Sequence, residues 1–155
     1  MEKAYHLSGS LDYVHEAPTS FFDGNAAIPL AEMTSFQKMK IVRDGVSKSY
    51  LATLKEETSL DYDALAQALS VTRSTLINKK GDQKFSDHVS ERIIAVAEIY
   101  SLGYEVFENK EHFNKWMFAP NQALGGSVPF HFMDNQFGRD EIRNLIGRIE
   151  YGVYS

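Results

Sequence analysis

Apolar residues recur at helical spacing through most of this chain. Val89, Ile93, Val96 and Tyr100 share one helix face, and Ile142, Leu145, Ile146 and Ile149 repeat the i, i+3, i+4, i+7 pattern near the C-terminus. Between such runs stand Ser, Thr, Asn, Asp, Gly and Pro residues of the kind that start and stop helices. The fold class this predicts is all-α. There is no internal repeat, low-complexity tract or flexible linker.

The 155 residues suffice for one domain or two small ones around a modest core. No apolar run is long enough to span a bilayer, and no basic start precedes an apolar stretch as in a signal peptide. Cys is absent, which excludes disulfides and thiol chemistry and fits a reducing cytoplasm, the expected location. The net charge of −5 argues against a generic nucleic-acid coat. It hides a split: residues 34–85 are net basic, with Lys38, Lys40, Arg43, Lys48 and Lys55 among them, and both flanks are net acidic. That suggests one surface for phosphate and another for something else.

Residues 1–33 read as an irregular N-terminal arm. Aromatic clusters (Tyr13, Phe21-Phe22) alternate with Pro18, Asp23-Gly24-Asn25 and Pro29. Such an arm either stays a loose terminus or covers a neighbouring subunit. Thr34 or Ser35 caps a helix through about Val42, with Gly45 beyond it, and Ser47 opens a second that ends near Thr58-Ser59. Then Leu65, Ala66, Leu69, Val71 and Leu76 fall where a helix-turn-helix needs contacts between its helices. Ser70 occupies the turn, where Gly is common, and Thr72 caps a second helix reaching Lys80. Ser86 caps a long helix that Gly103 stops near Leu102, and Asn109 caps one through Trp116 or Met117. A short helix from Pro129 leads to Asp134 as cap of the last helix.

The helix from Thr72 to Lys80 is the candidate DNA-binding element, through Thr72, Arg73, Ser74, Thr75, Asn78, Lys79 and Lys80. Arg can take two bonds to guanine and Asn two to adenine, while Lys pairs with phosphate. The competing reading is a solvated helix face. Gly138 and Gly147 each cost about 1 kcal/mol inside a helix, so something packs closely there, either this protein's own core, the favoured explanation, or a partner. Trp116, Phe113 and Met117 read as core, and Asn121 with Gly125-Gly126 as turn residues. The scattered His residues lack metal-ligand spacing, and no Walker loop, GxGxxG or GxSxG is present. No catalytic residue, metal or cofactor is expected.

Trp116, Pro120-Asn121, Ala123-Leu124-Gly125-Gly126, Pro129, Gly138, Leu145-Ile146-Gly147-Arg148-Ile149-Glu150 and Gly152-Val153 are ordered and spaced as in one known domain. The stretch resembles the C-terminal toxin-binding domain of Xre/MbcA/ParS-type antitoxins, and the resemblance extends over roughly residues 35 to 155. One departure is Val128, before Pro129, where relatives commonly carry a small hydroxyl cap. The resemblance implies an antitoxin of the RES–Xre class without enzyme activity. Its cognate partner would be a RES-domain toxin that depletes NAD, held inactive by the last helix and tail at the active-site entrance. It would also repress its own operon by binding operator DNA, as a homodimer within a toxin–antitoxin complex. Residues 34–85 would be the Xre-like helix-turn-helix region and residues 86–155 the toxin-binding domain. Toxin contacts are expected from Arg148, Glu150, Tyr151, Gly152, Val153, Tyr154 and Ser155. A transcription regulator with no toxin partner is the main alternative, and a small enzyme the weakest.

Overall fold

Short polar caps set most of the helix boundaries. The computed structural model describes residues 30–152, and within them the secondary structure is helical apart from one isolated bridge between Ser47 and Lys84. A 3-10 turn at Leu30–Glu32 precedes α1 (Ser35–Asp44), α2 (Lys48–Thr58), α3 (Tyr62–Leu69), α4 (Arg73–Ile77), α5 (Asp87–Phe107) and α6 (Lys110–Met117). Two further 3-10 turns, Gln122–Leu124 and Pro129–Phe132, lead into α7 (Gln136–Glu150). Thr34, Ser47, Asp61, Thr72, Ser86, Asn109 and Asn135 each accept a hydrogen bond from a first-turn N–H. Each satisfies a donor the helix itself leaves unpaired, typically worth about 1 kcal/mol. At α1 the arrangement is reciprocal, because the Gln37 side chain accepts from the Thr34 N–H at 2.7 Å.

Three expectations need correction. Gly103 does not stop α5, which runs on to Phe107 and ends at Glu108 in the left-handed region. A Cβ on Gly103 would lie 2.2 Å from the Phe113 ring. This glycine lets α6 close on α5; it is a packing residue and not a terminator. The last helix is capped by Asn135, whose side chain accepts from the Gly138 N–H at 2.9 Å; Asp134 instead accepts from the Asn135 side-chain amide. Finally, α4 is only five residues long and stops at Ile77, with Asn78 as its C-cap. Lys48 reaches across from α2 and donates to the Leu76 and Lys79 carbonyls at 3.0 and 2.9 Å. Those bonds hold the chain in a loop where the next helical turn would have been.

The long helix α5 is the spine. It touches the first 3-10 turn, α1, α2 and α3, and also α6 and α7. Ile93, Val96, Ala97, Ile99 and Tyr100 are fully buried on it. One continuous apolar cluster joins them to Leu51, Leu54, Leu65, Leu69 and Leu76 and to Phe113, Met117, Phe130, Ile142 and Ile146. Leu30, at the start of the described chain, is also fully buried. Around Phe113 the rings of Tyr100, Tyr104 and Phe107 meet it edge-on, and Trp116 stacks on it at 5.6 Å, so the Trp does belong to the core. At the close of the chain, Gly138 lets α7 approach the Phe130–Phe132 turn: a Cβ there would sit 2.1 Å from the Phe132 carbonyl oxygen. The 3-10 turn itself begins at Pro129 with no side-chain cap from Val128.

Candidate functional site

Two exposed faces stand out. The first is built by α3, the turn and α4. Leu65, Leu69 and Leu76 are fully buried between these helices, Ala66 is 8% exposed where they cross, and Val71 packs against the same cluster. Ser70 takes the left-handed conformation (φ 56°, ψ 45°) and its hydroxyl donates to the Asp134 carbonyl at 3.0 Å. That bond offsets part of the backbone cost and ties the turn to the loop before α7. Arg92 of α5 donates to the Leu69 carbonyl at 3.2 Å, which closes the end of α3.

This leaves Thr72, Arg73, Ser74 and Thr75 exposed around the start of α4. Thr72 caps the helix and its hydroxyl pairs with that of Thr75 at 2.9 Å. Arg73 extends beside Asp63 of α3, Nε to Oδ1 3.3 Å, with both side chains well exposed. Asn78 is exposed at the C-cap, so it does not lie along the outer face of a longer helix. Lys79 and Lys80 fall in the following loop. Lys79 is half-buried with its ammonium 5.9 Å from the centre of the Phe85 ring, and Lys80 is exposed. The structure therefore groups residues 72–75 at one helix start and places the two lysines apart from them. Lys48, counted in the sequence only as one more positive charge, anchors that loop.

The second face is the outer side of α7. Ile142, Leu145 and Ile146 are buried and Ile149 is half-buried, as their spacing predicts. The opposite stripe holds Phe137, Glu141, Asn144, Arg148 and Tyr151. Phe137 is 85% exposed and Tyr151 80% exposed, so an aromatic ring stands at each end. Fourteen residues of helix separate them by roughly 21 Å. Gly147 flanks this stripe, and a Cβ there would meet nothing within 4 Å among the described residues. Among the described residues the favoured intramolecular explanation holds for Gly138 and fails for Gly147. Arg148 is half-buried; its Nε is shielded from solvent and has no hydrogen-bond partner among the described residues. Glu150 and Tyr151 are exposed, and Gly152 ends the helix with φ +76° and its N–H on the Ile149 carbonyl at 3.0 Å. Val153, Tyr154 and Ser155 lie outside the described residues, as does the arm before Leu30. Phe137 escaped the sequence reading, although a helical wheel puts it outside the apolar face.

Below α7, Arg139 donates to the Met133 carbonyl at 2.9 Å. Burial, helped by nearby Arg92, holds its guanidinium below the usual arginine range. Burial likewise pushes the Tyr100 and Tyr104 phenols above theirs, so both stay protonated. These are packing effects in the core. No cluster of three or more His, Cys, Asp or Glu side chains among the described residues is arranged to hold a metal ion. None of the described helices is long and apolar enough to cross a membrane.

Comparison with known proteins now bears on both faces. Residues 38–98 match the antitoxin Xre-like helix-turn-helix domain, and residues 102–152 match the antitoxin Xre/MbcA/ParS C-terminal toxin-binding domain. The chain belongs to the Xre/MbcA/ParS antitoxin family. A protein of Photorhabdus laumondii named Antitoxin Xre is 33% identical over 76 residues, covering 48% of this chain and 51% of its own length. Another Antitoxin Xre, from Yersinia enterocolitica, is 31% identical over 85 residues, covering 54% of this chain and 57% of its own. The chain spans about half the length of these curated relatives. Both matched segments of this antitoxin-family chain abut inside α5, so one helix serves the helix-turn-helix and the toxin-binding domain alike.

Proposed function

We propose that this chain neutralises a RES-domain toxin that depletes NAD, and represses its own operon by binding operator DNA as a homodimer. It has no enzymatic activity of its own in this reading. Residues 34–85 supply the DNA face and residues 86–155 the toxin face. The observation that carries the proposal is the outer stripe of α7. Two large aromatic rings are left in water at its ends, which is costly for an apolar surface that nothing covers. Beside them Gly147 costs the helix about 1 kcal/mol with no neighbour among the described residues to require it. A partner that packs flat against α7 accounts for both.

The toxin's identity follows from the sequence resemblance, and the chemistry of the chain end is compatible with it. An NAD-degrading pocket accepts an aromatic, polar and anionic ligand. Glu150, Tyr151 and Tyr154 offer those groups in sequence, with Arg148 for an acidic counterpart. On the other face, Arg73 reads a base while Ser74, Thr75 and Lys80 bind phosphate or sugar.

Deleting residues 151–155 separates the two activities. Rescue of cells from the toxin should fall sharply while operator binding in a gel shift stays within about twofold, since the DNA face is untouched. A folded truncation that still neutralises the toxin fully would move the inhibitory contact off the chain end.

A further inference from the structure

Among the described α-helices, α1 alone has no buried residue. Of its ten residues, Phe36 is 79% exposed and Met39 41% exposed. A helix this short is marginal in water unless an apolar face is covered. Its own core covers only part of that face, through half-buried Ile41 and Val42. Beside it runs a cleft of about 440 Å³ between α1 and the first half of α5. Met39, Val42 and Ile94 supply its apolar lining; Lys38 and Arg43 stand on the α1 side, and Asp87, Glu91 and Glu98 on the α5 side. Lys38 and Glu98 bridge it as an ion pair. Among the described residues Arg43 and Asp87 form no ion pair, and Glu91 also lies within the field of Arg139.

We propose that α1 and this cleft form the surface through which two copies of the chain pair. The inference rests on the homodimer reading above and assigns it a place. The occupant is a second copy because one patch carries both halves of a complementary contact. A two-fold axis brings the same patch onto itself, so every projection must find its recess on that patch. Here the projecting Phe36 ring lies on the helix that walls the apolar cleft, and a basic wall faces an acidic one. Two α1 helices laid antiparallel put each Phe36 into the other copy's cleft and each Arg43 toward the other copy's Asp87. A strand of DNA would match one charge sign and leave the other uncompensated. The five-residue α4 adds a reason for pairing, because so short a reading helix covers one half-site only.

Sedimentation velocity on the full chain, over a wide concentration range, tests this. Phe36→Glu should raise the dimer dissociation constant by roughly 30-fold or more, as loss of a central aromatic anchor does. Its circular dichroism should stay unchanged, because the side chain is exposed in the single copy. Arg43→Glu and Asp87→Arg should each weaken pairing, and the double variant should recover it, since the swapped charges meet again across the axis. A Phe36→Glu protein that dimerises like the wild type would overturn this surface and leave the homodimer itself standing elsewhere. Loss of pairing on deleting residues 1–29, with Phe36→Glu unaffected, would give the contact to the arm. Loss of toxin binding but not of pairing in Phe36→Glu would give the cleft to the toxin. A wild type that stays monomeric at every concentration would remove the homodimer reading and the surface together.

Discussion

Three glycines inside helices illustrate how differently one residue type can be used. Gly103 and Gly138 make room for a ring and a carbonyl of this chain, and Gly147 makes room for nothing among the described residues. Gly138→Ala should destabilise the protein by about 1–3 kcal/mol, because the Phe132 backbone has no slack to yield. Gly147→Ala should do the opposite in the free protein, gaining about 0.5–1 kcal/mol of helix stability. Toxin affinity should fall in the same variant. Thermal melts with and without the purified toxin check both signs, and a Gly147→Ala protein that binds toxin as well as before would remove the glycine from the interface. Tyr100 offers a separate case. Its hydroxyl is buried without a partner among the described residues, so Tyr100→Phe removes a desolvation penalty and should raise stability by about 1 kcal/mol.

At the scale of elements, the caps were the most readable part of the sequence. Thr34, Ser47, Thr72, Ser86 and Asn109 are short polar residues placed just before apolar periodicity, and the structure uses each as a cap. The errors arose where tertiary contact overrode a local signal. Gly103 looked like a terminator because the ring it admits is ten residues further along. α4 looked longer because nothing local announces that Lys48, from another helix, takes the carbonyls of Leu76 and Lys79. The DNA face is half legible for the same reason: residue types indicate chemistry, but the Asp63 partner of Arg73 is visible only in three dimensions. That pair is a surface one, worth at most about 1 kcal/mol of stability. Asp63→Asn should therefore leave the melting temperature nearly unchanged while it frees Arg73 and removes a charge that repels phosphate. On the proposed DNA face, operator affinity should rise about 3–10-fold at low salt, and the gain should shrink as salt is added. Unchanged affinity in a gel shift would place Asp63, and Arg73 with it, away from DNA.

For the molecule as a whole, the apolar core does not divide at residue 85 or at any other point. Leu65 and Leu69 on one side and Ile142 and Ile146 on the other belong to a single cluster with α5 running through it. Unfolding should accordingly follow one transition. The sole Trp, Trp116, reports on the C-terminal part by fluorescence, and far-ultraviolet dichroism reports on all helices. The two melting curves should superimpose, and separate midpoints would show that the halves are independent. The shared helix also bears on how such proteins diversify. Residues 72–75 and the outer stripe of α7 are solvent-facing, so on the proposed function a lineage can acquire a new operator or a new toxin by surface substitution without disturbing the spine. Recombination between two members is different, because a crossover in α5 beyond Val96 combines one parent's Ile93 and Val96 with the other parent's Ile142 and Ile146 in one core cluster. Chimeras joined there will keep their recognition surfaces and fail first in packing, unless Ile142 and Ile146 travel with the α5 they were fitted to.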